Sequence, residues 1–143
     1  MTPPGSTTTG QVLEKMVLPA LTHGGYSPVK PTTPIGTRLG GGRHFVDLVV
    51  QHPSGAGILV SLKWQQTSGT AEQKVPFEVM CLADAVHKSD ERFERAYLVL
   101  GGGGWSLREF YTGGGLDPFL RGCESVRILD MESFIGKANR GEL

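Results

Sequence analysis

The residues able to do chemistry are concentrated in one stretch of this 143-residue chain: Asp47, Ser61, Lys63, Gln65, Glu72 and Glu78. Asp47 stands inside the apolar run Phe45-Val46-Asp47-Leu48-Val49-Val50, where a carboxylate left without a partner or a metal is costly to bury. Hydrolysing a phosphodiester calls for a cation to neutralise the anion and activate water, and for acids to hold that cation. Asp47 and Glu78, with Glu14 or Glu72 as further candidates, offer the oxygen ligands that Mg²⁺ favours. Lys63 fits the cationic role: orienting the attacking water, helping to lower its pKa, or stabilising charge that grows on the phosphate. Gln65 is a candidate to bind phosphate or orient water.

Two strands must position these groups. The first is expected over 44–50 and the second over 58–65, with Pro53-Ser54-Gly55 turning the chain between them. Period-two alternation puts Ile58, Val60, Leu62 and Trp64 on one face and Leu59, Ser61, Lys63 and Gln65 on the other. Hairpin pairing then brings Asp47 beside Ser61 and Lys63. Upstream, Val12, Leu13, Met16 and Val17 recur at helical spacing and predict a helix over 11–21, with Pro19 disturbing its last turn. Residues 22–42 hold three prolines without periodicity and read as one long loop. Downstream, Thr70 and Gln73 suggest a capping box that opens a helix running to His87, with Pro76 as its kink or its true first turn. Residues 91–96 read as a short charged helix, 97–100 as a buried strand, 106–111 as a short helix, 126–129 as a strand and 131–138 as a terminal helix. The order predicts an α/β fold with a central mixed sheet flanked by helices. A loose leader over 1–10 precedes a single domain over 11–143.

Composition narrows the classes. Hydrophobic residues form 38% of the chain, enough for a core, and no apolar run is long enough to cross a bilayer. Formal net charge is zero, so any nucleic-acid surface has to be local. Arg38, Arg43 and Lys74 are the candidates to contact phosphates. Cys81 and Cys123 lack metal or redox spacing and fit reduced thiols in a reducing compartment such as the cytoplasm. Gly40–Gly42, Gly101–Gly104 and Gly113–Gly115 read as flexible loops. The second cluster lacks the lysine that a phosphate-binding GxxxxGK[ST] loop needs. Trp105, Phe110, Tyr111 and Phe119 are candidate exposed contacts.

The strand Phe45–Val50 with its aspartate, the turn, and the strand Ile58–Gln65 with its lysine resemble the core of the PD-(D/E)XK nuclease superfamily, over roughly residues 11–100. Where members commonly carry proline before the aspartate this chain has Val46, and where they carry an acid two residues before the lysine it has Ser61. A similar subset of restriction enzymes moves the missing glutamate to the following helix, and Glu78 stands 15 residues after Lys63. The resemblance implies a restriction-endonuclease-like fold and a metal-dependent DNA endonuclease of restriction, homing or junction-resolving type. It also implies Mg²⁺ (Mn²⁺ as an alternative) on Asp47 and Glu78, Lys63 assisting water, and Glu14 joining the metal shell. One small subunit with one site suggests a homodimer or dimer-based tetramer on DNA. The rival readings are a catalytically inactive copy of the fold used for DNA binding or assembly, and an unrelated α/β domain in which Lys63 merely pairs with Asp47.

Overall fold

The computed structural model describes residues 9–143; the expected leader lies outside them except for Thr9 and Gly10, which belong to the first helix. That helix covers residues 9–23 and contains a π-helical segment, Leu13–Val17, ahead of α1 (Leu18–His23). The widened turn has a local cause. Pro19 has no N–H to give the preceding turn, and the Leu18 N–H reaches back five residues to the Leu13 carbonyl.

Five strands form one mixed sheet in the order β1 (Ser27–Val29), β4 (Leu48–Gln51), β5 (Gly57–Trp64), β6 (Phe93–Gly101), β7 (Val126–Asp130). β1, β4 and β5 run antiparallel, with Leu48 opposite Val60 and Val50 opposite Ile58. β5, β6 and β7 run parallel. A parallel pair needs a crossover, and α2 (Val75–Lys88) supplies it between β5 and β6. The mixed sheet flanked by helices is the expected α/β architecture.

Both faces are covered, which explains the unbroken burial of β5 from Gly57 to Leu62. On one face Leu48, Val50, Ile58, Val60 and Leu62 pack with Val17, Leu21, Tyr97 and Phe134 under the first helix and α4 (Met131–Asn139). On the other Leu59, Leu98 and Leu100 pack with Val75, Val79 and Leu82 of α2 and with Tyr111 of α3 (Arg108–Thr112). The expected alternation of β5 holds for this packing.

Several expectations fail for identifiable reasons. The supposed loop 22–42 contains β1 and one strand of a small hairpin, β2 (Gly36–Thr37) with β3 (Arg43–His44). Pro28 sits in β1, an edge strand, one of the few places where a sheet tolerates a missing N–H. The strand expected over 44–50 is broken at residues 45–47, since His44 pairs with Gly36 and pairing to β5 resumes at Leu48. Thr70 forms no capping box: it lies inside a 3₁₀ turn, Thr70–Lys74, whose N-cap has no side-chain bond. Pro76 sits in the first turn of α2, where its missing N–H is harmless. Residues 91–96 are not helical. Asp90 and Glu91 adopt positive φ (55° and 67°) in a tight turn, and β6 begins at Phe93.

Candidate active site

Asp47 lies where the chain enters β4, and its N–H donates to the Val60 carbonyl at 3.1 Å. Its Oδ2 accepts the Leu62 N–H at 2.6 Å, so a backbone amide of β5 fixes the carboxylate. Among the described residues no other donor reaches it. Burial therefore dominates and pushes the Asp47 carboxyl above its ordinary range, against the Leu62 hydrogen bond and the Lys63 charge, with Glu78 adding to the rise. Asp47 and Lys63 line the same cavity, and Lys63 in turn pairs with Glu78.

Lys63 comes from the last turn of pleat in β5, and its Nζ stands 3.6 Å from Glu78 Oε1 in the first turn of α2. A second cation converges on the same oxygen: Arg38 Nη2, at 3.9 Å, from the start of the β2–β3 turn. Asp47, Ser61 and Lys63 line one open cavity of about 520 Å³, bordered by Phe45, Leu13 and Trp64. His44, at the end of β3, is buried, and its Nε2 has no hydrogen-bond partner among the described residues. Burial lowers its pKa, with Glu78 and Asp84 opposing and Arg38 and Lys63 reinforcing that effect. The proximity of His44 to Glu78 depends on the β2–β3 hairpin, which the Pro- and Gly-rich pattern conceals.

Other candidates stand elsewhere. Gln65 is buried and its Nε2 donates to the Gly104 carbonyl at 2.8 Å, so it anchors the glycine run instead of facing the cavity. That run is not a slack loop. The Gly104 N–H donates back to the Gln65 carbonyl at 2.8 Å, and a Cβ on Gly102 (φ +89°) would collide with that carbonyl. Glu72 is also buried. Its Oε2 accepts the Ser106 hydroxyl at 2.8 Å, and its Oε1 accepts the Leu107 N–H at 3.2 Å and the Ser106 N–H. The Ser106 hydroxyl leads these bonds in holding its carboxyl below the ordinary range. Glu14 is exposed and paired with Lys30. Arg43 and Lys74 are exposed. Trp105 and Tyr111 are not surface contacts: the Trp105 Nε1–H donates to the Gly101 carbonyl at 2.7 Å and the Tyr111 hydroxyl to the Glu72 carbonyl at 2.6 Å, both under the sheet. Phe110 and Phe119 are exposed, and Cys81 and Cys123 are free thiols.

The donor set fits a hard divalent cation. Mg²⁺ is commonly held by one or two carboxylates and completes its shell with waters and substrate phosphate, and Asp47 and Glu78 offer two carboxylates beside a lysine. Among the described residues no three His, Cys, Asp or Glu side chains converge, which does not suit a closed, all-protein metal cage. No helix among the described residues is long and apolar enough to cross a membrane.

A sequence search of curated proteins finds no match. The family model described as a PD-(D/E)XK nuclease superfamily domain matches residues 5–142, nearly the whole chain. With the mixed sheet, the helix crossover and the aspartate and lysine brought to one cavity, the chain belongs to the PD-(D/E)XK nuclease superfamily.

Proposed function

We propose that the chain is a divalent-metal-dependent DNA endonuclease, with Asp47 and Glu78 holding Mg²⁺ (or Mn²⁺) and Lys63 serving the reacting phosphate. The observation that carries this reading is one cavity that holds both a carboxylate fixed by a single hydrogen bond and a lysine paired with Glu78 at 3.6 Å. When bound, the ion supplies Lewis-acid charge neutralisation and activation of water. The protein supplies position. Leu62 N–H fixes Asp47, and burial of that carboxylate favours binding of a cation over leaving it bare. Lys63 Nζ, 40% exposed along its side chain, is free to reach a phosphate oxygen or the attacking water. Ser61, buried beside Lys63 in the cavity lining, leaves Glu78 to provide the second acid from the helix. Arg38, Arg43 and Lys74 supply phosphate contacts despite zero net charge. Glu14 and Glu72 stay outside this proposed metal set because their carboxylates are engaged elsewhere.

Assembly as a homodimer or dimer-based tetramer belongs to the same reading, because cutting both strands at one place needs two sites related by a twofold axis. A panel of duplex, nicked, flapped and four-way DNA, incubated with Mg²⁺ or Mn²⁺, tests it. Metal-dependent internal cleavage of at least one substrate is expected. The second reading, DNA binding without catalysis, is favoured by Ser61 standing in place of an acid; binding of the panel with no cleavage under either metal selects it.

A further inference from the structure

The six phenylalanines divide sharply. Phe93 and Phe134 are buried, whereas Phe45, Phe77, Phe110 and Phe119 are exposed. Two of the exposed rings stand at the candidate active site. Phe45 is 55% exposed and borders the cavity lined by Asp47, Ser61 and Lys63. Phe77 is 39% exposed and immediately precedes Glu78 in the first turn of α2.

Each ring carries a guanidinium. Arg43 lies 5.9 Å from the Phe45 centroid and Arg38 lies 5.3 Å from that of Phe77. Both arginines come from the β2–β3 hairpin, where Arg43 pairs with Thr37 and the Arg38 N–H donates to the Gly42 carbonyl at 2.9 Å. One short hairpin thus sets one arginine–phenylalanine pair against the segment entering Asp47 and another against the helix carrying Glu78.

An exposed phenylalanine forgoes the gain of burial and has no hydrogen bond to offer in exchange. What it can offer a nucleic acid is a flat face for a base, while the arginine beside it offers a charge for the phosphate. Inside an unbroken duplex both faces of each base are already covered by neighbours. A ring at the active site therefore has a partner only where the bases are unstacked.

We propose that Phe45 and Phe77 are stacking platforms for unpaired bases next to the cut phosphate. The substrate class is then DNA with single-stranded nucleotides at the site, such as flaps, gaps, loops or free strands, and not uninterrupted duplex. The inference rests on the nuclease reading above and narrows it.

The test separates binding from cutting. With metal chelated, the full-length chain and its Phe45→Leu and Phe77→Leu variants are titrated by fluorescence anisotropy against three probes: a labelled DNA strand, its blunt duplex, and the RNA strand of the same sequence. The wild type should bind the DNA strand more tightly than the duplex. Each leucine variant should lose about 10-fold on the strand, within the range for base–aromatic stacking, and little on the duplex. Phe45→Trp and Phe77→Trp should restore strand binding, and Phe119→Leu, at an exposed ring outside the cavity lining, should leave it unchanged. Leucine variants that bind the strand like wild type, or that lose equally on strand and duplex, overturn the proposal. Tighter binding of RNA than of the DNA strand overturns its assignment to DNA. Adding Mg²⁺ or Mn²⁺ then distinguishes the two readings. Ring-dependent binding without any cleavage removes the nuclease reading and leaves the platforms. Equal cleavage of strand and blunt duplex, with or without the rings, removes the platforms and leaves the nuclease.

Discussion

Glu72 is buried and Asp47 is half-buried at the edge of an open cavity, yet the fold treats the two acids in opposite ways. Glu72 accepts hydrogen bonds from the Ser106 hydroxyl, the Ser106 N–H and the Leu107 N–H, and its carboxyl is held below the ordinary range. Asp47 receives the Leu62 N–H alone among the described residues, and burial pushes its carboxyl up. A satisfied acid is a clamp, since its charge is already spent on the segment it holds. An under-satisfied acid beside a lysine keeps its charge for something else. The difference separates a structural carboxylate from a catalytic candidate.

The largest expected effect breaks the poised neighbourhood. Lys63→Ala should lower DNA cleavage by at least about 100-fold, the scale of removing one charge-stabilising group, and should leave the melting temperature nearly unchanged because the ammonium is partly exposed. Next comes the clamp. Glu72→Gln should lower the melting temperature by several degrees by weakening its grip on Ser106 and Leu107, and should keep most of the cleavage well below that temperature. Loss of cleavage at unchanged stability would reverse the roles assigned to the two acids.

The pH dependence of stability sharpens the same contrast in metal-free protein. Asp47 has a raised folded pKa, so its ionised form costs stability at neutral pH, and the cost is relieved as pH falls through that pKa toward the ordinary aspartate range. Glu72 has a lowered folded pKa, so it contributes stability above the ordinary glutamate range, which is lost as pH falls through its folded value. Asp47→Asn should therefore raise the melting temperature slightly at pH 7, with the gain shrinking on acidification. Glu72→Gln should show its deficit at pH 7 and lose it only in the acid range. Thermal melts across pH with a chelator present measure both. The smallest effect belongs to Glu14→Ala, which removes an exposed pair with Lys30 and should cost no more than about 0.5 kcal/mol, with cleavage rates unchanged.

What was legible in the sequence follows from what is local. β5 announced itself by alternation, and the turn at 51–57 fixed which strand it would meet, so Asp47, Ser61 and Lys63 could be brought together from pattern alone. Glu78 stood out through the family resemblance, as an acid in the following helix 15 residues after Lys63. Glu72 and Gln65 resembled site residues because their types suit catalysis, but their partners lie in the 101–107 segment, more than 30 residues away, and no local signal links them. The β2–β3 hairpin was hidden because Pro and Gly dominate its surroundings. With it went the positions of His44 and Arg38 beside Glu78. Trp105 read as a loop aromatic until the sheet was seen to bury it and satisfy its indole N–H.

The central claim is that Asp47 holds the ion and Lys63 does not. Calorimetric titration of Mn²⁺ and Mg²⁺ into the wild type, Asp47→Ala and Lys63→Ala, with cleavage rates on the same preparations, tests it most directly. The wild type should bind metal and cut DNA, Asp47→Ala should lose both, and Lys63→Ala should keep metal binding near wild type while losing cleavage. Full metal-dependent cleavage by Asp47→Ala would contradict the account.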